Sequence, residues 1–190
     1  MAPRLETLLE APPGFRSPAV ARFVWQLDEQ RRVLLDDTRG LSPADLEWQP
    51  APGMNSIGML LAHIAYAESH LSQVGLEGKA TSDTRAAIGL SEDEEGMPLA
   101  PGAPPSPALA GHDLAWFDAL LARAREHTRR VAMTLTDEAL AREVHRLRPD
   151  GTERVFNLGW VFYHMIEHEA GHHGQINLLR HLRRNPGAAS

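Results

Sequence analysis

The sequence contains no cysteine. Disulfides and thiolate metal sites are therefore excluded, and any metal ion must be held by His, Asp or Glu. It also lacks an excess of cations: the formal charge is -6 and the isoelectric point about 5.9. A phosphate backbone is not expected as a direct ligand. No run approaches the length of apolar chain, about 18 residues, that a membrane span needs. Residues 1–16 show neither a continuous apolar stretch nor a small-residue cleavage signal, so no membrane association and a cytoplasmic location are expected.

What the chain does have is an ordinary globular balance, 43% apolar and 23% charged residues over 190 positions. That is enough to bury a core, and residues 1–190 are read as one domain. From Pro18 to Thr38, Val20, Phe23, Val24, Leu27, Val33, Leu34 and Leu35 recur near helical spacing, with Asp28, Glu29, Arg31 and Arg32 assigned to the opposite, solvated face. Gly40 closes this helix, and Ser42-Pro43 opens a short turn that ends near Trp48. Asn55 or Ser56 caps a second helix carrying Ile57, Leu60, Leu61, Ile64, Ala67 and Leu71, with His63 in its middle.

Residues 77–111 change character, with repeated Gly and Pro around the acidic run Glu92, Asp93, Glu94 and Glu95, and read as one long loop. A third helix is expected from about Ser106 or His112, with Trp116, Phe117, Leu120, Leu121 and Ala124 on its inner side. Val144, Leu147 and Val155 around Pro149-Asp150-Gly151 predict a small β-hairpin. The last helix runs from Asn157 and stops before Pro186 and Gly187, with Arg180, Arg183 and Arg184 suiting its C-terminal dipole. Four long helices suggest a bundle.

Five of the ten histidines, His164, His168, His172, His173 and His181, lie on that last helix. Residues four apart stack on one helical face, and an i, i+4 pair of imidazoles is pre-set for chelation. His168 and His172 are the candidate pair, and His63, on a helix face expected to look inward, is the candidate third ligand. Three neutral imidazoles suit Zn first, with Ni or Fe as alternatives, and leave a divalent ion Lewis acidic toward a bound water or thiol. His70, His112, His127, His145 and His181 have no partner at ligand spacing. Residues 168–172 also satisfy H-E-x-x-H, the zinc-peptidase pattern. Only eighteen residues follow His172, and the extended H-x-x-G-x-x-H continuation fails because Gly174 and His181 are out of register. Glu169 is then read as either a solvated helix residue or a partner of a ligand.

Two separated signatures carry a resemblance. Leu41, Ser42, Pro43, Asp45, Leu46, Trp48 and Pro50 lead into Asn55, Ser56, Ile57 and Gly58, then Leu61-Ala62-His63-Ile64 and Glu68. Gly159-Trp160 and Tyr163-His164 are followed by Glu167-His168-Glu169, His172 and Gly174-Gln175. In this order they resemble the DinB/YfiT-like metalloenzyme family, across nearly the whole chain apart from residues 77–111. One departure is that His173 stands where arginine is common. The resemblance implies an all-α, up-down-down-up four-helix bundle, usually a homodimer, with a metal held by His63, His168 and His172. It also implies a small-molecule substrate and an S-transferase reaction using a low-molecular-weight thiol such as mycothiol or bacillithiol. A non-catalytic, metal-binding stress-response protein is the alternative, and a peptidase the third reading.

Overall fold

Ser17 starts the first helix by accepting a hydrogen bond from the Val20 amide, with Pro18 in the first turn, where its missing N–H costs nothing. Helix α1 covers Pro18–Thr38. The computed structural model describes residues 6–97, 99–148 and 150–185. Pro98, Pro149, Pro186 and Gly187, on which the expected loop, turn and stop partly rest, lie outside the described residues. The short helix α2, Pro43–Glu47, is held by a capping box between Ser42 and Asp45. Helix α3, Ile57–Leu71, is capped by Ser56 and continues into a π-turn, Ser72–Leu76.

The segment read as one long loop is more structured than expected. It contains α4, Thr84–Ile88, capped by Asp83, and α5, Glu92–Glu95, held by a capping box between Ser91 and Glu94. Both stop at a left-handed glycine, Gly89 and Gly96, a conformation that favours a residue without a Cβ. A 3₁₀ turn, Pro107–Leu109, follows. Ile88, Leu90 and Leu109 are buried in the core, and Arg123 donates through Nε and Nη2 to the Ile88 carbonyl. Gly and Pro punctuation hides helices this short, because four or five residues give no full period to detect.

Asp113 caps α6, Leu114–Ala132. Strands β1, Glu143–Leu147, and β2, Glu153–Asn157, form the expected antiparallel hairpin, with Arg146 directly opposite Arg154. Asn157 then caps α7, Leu158–Arg184. The chain is mostly helical, and among the described residues no helix is long and apolar enough to cross a membrane.

The four long helices pack α1 on α7, α3 on α6 and α7, and α1 on α6. Their apolar faces form two clusters. One joins α2, α3, α6 and the end of α7 through Ile57, Leu61, Phe117 and Ile176; the other joins α1 to the start of α7 through Val20, Leu27, Val161 and Phe162. Between them lies a polar layer to which each long helix contributes one charge: Arg31, Glu68, Arg125 and Glu169. Arg31 is thus buried rather than solvated, because it occupies the same stripe as Val24, Leu27 and Leu34. Its Nη2 donates to Glu68 Oε2 at 2.8 Å, its Nε to Glu169 Oε1 at 2.6 Å and its Nη1 to the Leu121 carbonyl at 2.8 Å. Arg125 donates to Glu68 Oε1 at 2.7 Å and Glu169 Oε2 at 2.9 Å. Burial alone would raise the Glu68 carboxyl, but the two guanidinium charges outweigh it and hold it below its ordinary range.

Candidate metal centre

Helices α3 and α7 bring His63, His168 and His172 together, with one nitrogen of each lying within 4.8 Å of the others. Among the described residues this is the one such group of potential ligands. The Nε2 atoms of His63 and His172 approach His168 Nε2 to 3.1 and 3.2 Å. Behind two of the rings stands an oxygen. His63 Nδ1–H donates to Glu95 Oε2 at 3.0 Å, and His172 Nδ1–H donates to Gln175 Oε1 at 2.9 Å. With Nδ1 protonated, Nε2 of each ring carries a lone pair aimed at the centre of the cluster.

Converging lone pairs repel unless a proton or a cation stands among them. Burial, followed by the neighbouring His172, His63 and His164, pushes the His168 imidazole down to about 3. Burial likewise lowers His172. Protonation is therefore disfavoured at neutral pH, and a divalent cation fits this donor set: three neutral imidazoles, two with a hydrogen-bonded second nitrogen.

Of the supporting groups, Glu95 was not visible as such in the sequence. It closes the acidic run of α5, is 1% exposed, and reaches the back of His63 with its Oε2. The capping box and the glycine stops around that run are local signals for the helix α5, though not for where it packs. Tyr66, one turn after His63, points the same way: burial and then Glu92 raise its pKa.

The other histidines are placed elsewhere. His164 stacks on Trp160 and bonds Glu167. His173 is buried, where Nε2 meets Asp37 at 2.8 Å and Nδ1 meets Gln30 at 3.0 Å, so it ties α7 to α1. His70 bonds Ser82, His112 stacks on Trp116, His127 lies 3.4 Å from Glu77, and His145 bonds Glu153. Arg180 and Arg183 reach Asp37 and Asp45 at 3.5 and 3.4 Å, as a helix terminus packed on its neighbours would. The peptidase pattern fails on geometry. Glu169, which would have to take a proton from water, is 2% exposed and has both oxygens bound by Arg31 and Arg125. Glu68 is engaged by the same arginines, so neither carboxylate is free to become a further ligand.

Fold and site together define a helical protein in which two helices present a convergent three-histidine cluster. The chain belongs to the mycothiol-S-transferase family, whose model matches residues 23–184, and with it to the DinB/YfiT-like superfamily. Among solved structures, it is similar to a conserved protein from Enterococcus faecalis, at 17% identity and a TM-score of 0.60, covering 84% of this chain and 94% of that one. That likeness shows the fold alone. Comparison with curated proteins gives no match.

Proposed function

We propose that the chain is a metal-dependent S-transferase that joins a low-molecular-weight thiol, mycothiol in the first instance, to a small electrophile. The observation that carries the reading is the convergence of the three imidazole nitrogens, in a chain of the mycothiol-S-transferase family. His63, His168 and His172 would hold the ion, Zn before Ni or Fe. Such a cation supplies Lewis acidity, favouring thiolate over thiol at neutral pH. The residues of the chain do the rest: Glu95 and Gln175 fix the rings, and the Arg31–Glu68–Arg125–Glu169 layer sets α3 against α7. The absence of cysteine leaves the substrate as the sole source of thiol.

The remaining features that the family resemblance implies belong to the same proposal: one domain arranged as an up-down-down-up four-helix bundle, and a cytoplasmic homodimer; a stress-response role goes with the non-catalytic alternative. The test is metal content in purified, tag-free protein beside the His63→Ala/His168→Ala variant. About one equivalent of transition metal is expected in the former and none in the latter. Mycothiol consumption with an electrophile should follow the same pattern. Metal without transfer would support a non-catalytic metal-binding protein instead, and no metal after reconstitution would overturn the reading.

A further inference from the structure

A cavity of about 470 Å³ lies between the end of α3, the hairpin and the start of α7. That volume suits a small organic molecule. Its position links it to the histidine cluster twice. His164, in its wall, has its ring centroid 6.0 Å from that of His168. His70, also in its wall, stands seven residues after His63 on α3, about 10 Å along the helix axis. Tyr66, whose ring stacks on both His63 and His70, stands between those two, so the approach from the cavity to the cluster runs past His164.

The chemistry of the wall is unusual for an acidic protein. Arg146, Arg148 and Arg154 all line it, and none has a carboxylate within ion-pair distance among the described residues. Arg146 and Arg154 are direct cross-strand partners, an arrangement of like charges that lowers hairpin stability. Arg146 is held rigidly, donating to the carbonyls of Val74 at 2.7 Å, Lys79 at 2.5 Å and Ala80 at 3.0 Å, while its buried Nε has no partner. Those carbonyls orient the cation without cancelling its charge. Arg154 lies over the Trp160 ring at 4.5 Å, and His164 stacks on the same indole at 4.4 Å. Burial lowers the His70 imidazole, with the Arg146 charge adding to this and Glu92 opposing it. Elsewhere in the chain, Arg31, Arg32, Arg39, Arg85, Arg125 and Arg129 are each neutralised by an acidic residue, while Arg123 and Arg142 are held singly by backbone carbonyls.

We infer that this cavity is the subsite for an organic anion, a carboxylate on an apolar body, whose charge meets the three hairpin arginines and whose body packs among Leu71, Val74 and Phe156 while its other end reaches toward the histidine cluster. The inference deepens the S-transferase reading and rests on it for the role of the cluster. The carboxylate can be carried by the electrophile or by a thiol with a free carboxyl group, and the chemistry of recognition is the same for both.

The test is binding, measured by calorimetry on the full chain, so that it does not depend on turnover. Phenylacetate is compared with phenylacetamide, and N-acetylcysteine with its amide. At least one carboxylate is expected to bind tenfold or more tightly than its neutral twin, and the preferred pair identifies the reactant that carries the charge. Arg148→Gln/Arg154→Gln, both exposed, the first just past the end of β1 and the second in β2, should erase that preference, while the distant Arg39→Gln keeps it. Phenylacetate selectivity, where it is the pair preferred, should persist in His63→Ala/His168→Ala, so a failed metal assignment and a failed subsite give different results. Equal binding of acid and amide in both pairs would overturn the inference, as would a preference unchanged in the double arginine variant or lost equally in Arg39→Gln.

Discussion

Replacing Glu95 is expected to weaken metal binding without removing a ligand. Its carboxylate accepts from His63 Nδ1 at 3.0 Å and is almost fully buried, so it fixes both the tautomer and the tilt of that ring. Glu95→Gln keeps a carbonyl oxygen in reach but removes the charge that makes the imidazole more basic. Glu95→Ala removes the acceptor as well and leaves an unpaired Nδ1–H. Loss of such an outer partner typically lowers metal affinity by about 10- to 100-fold, or roughly 1.4 to 2.8 kcal/mol. Glutamine should fall near the lower figure and alanine near the upper one. The assay is competition for zinc against a chromophoric chelator at fixed pH, with circular dichroism to establish that both variants fold. Wild-type affinity in both folded variants would refute the argument that α5 supports the site.

His168→Ala and His172→Ala should each sharply reduce metal occupancy, while His70→Ala, whose ring bonds Ser82, should not; elemental analysis distinguishes them. Glu68→Gln removes one of two buried anions facing two guanidinium groups and is expected to cost about 3 to 5 kcal/mol in urea unfolding. The folded pKa of Glu68 is depressed below the ordinary 4.5. Its contribution is therefore complete above that value and is lost as pH falls toward and through the depressed one, so the glutamine variant should show a flatter acid limb in stability against pH. Gly58→Ala would place a Cβ 2.9 Å from Phe117 Cζ and 3.2 Å from the Leu46 carbonyl; a loss of about 1 to 3 kcal/mol is expected from denaturant titration.

The three imidazoles were legible because their information is local: an i, i+4 pair on a strongly periodic helix and a histidine inside an apolar stripe. The hairpin was legible from its turn residues, and the long helices from periodicity and caps. Arg31 was misread because it was sorted by charge rather than by position. Val24, Leu27, Arg31 and Leu34 share one spacing, and on α7 so do Phe162, Met165, Glu169 and Ile176. Charges of opposite sign in the apolar stripes of different helices are the signal of a buried ion network, and it can be read only by comparing helices. Glu95 demands more, since its role follows from where the 77–111 segment folds back, which no spacing along the chain encodes.

The layer of two arginines and two glutamates also bears on the order of events when an ion is captured. Sliding α3 or α7 by one turn would strand a charge in the interior, so the electrostatic match fixes their alignment with no ion present. Glu169 directly follows His168 in the chain, and Glu68 stands five residues beyond His63. Loading of the proposed metal would then be encounter and desolvation at a finished surface, with no chain left to fold. Uptake should therefore be fast and first order in free ion, and chelation should strip the centre while the helices stay as they were, quite unlike small zinc domains that unravel when emptied.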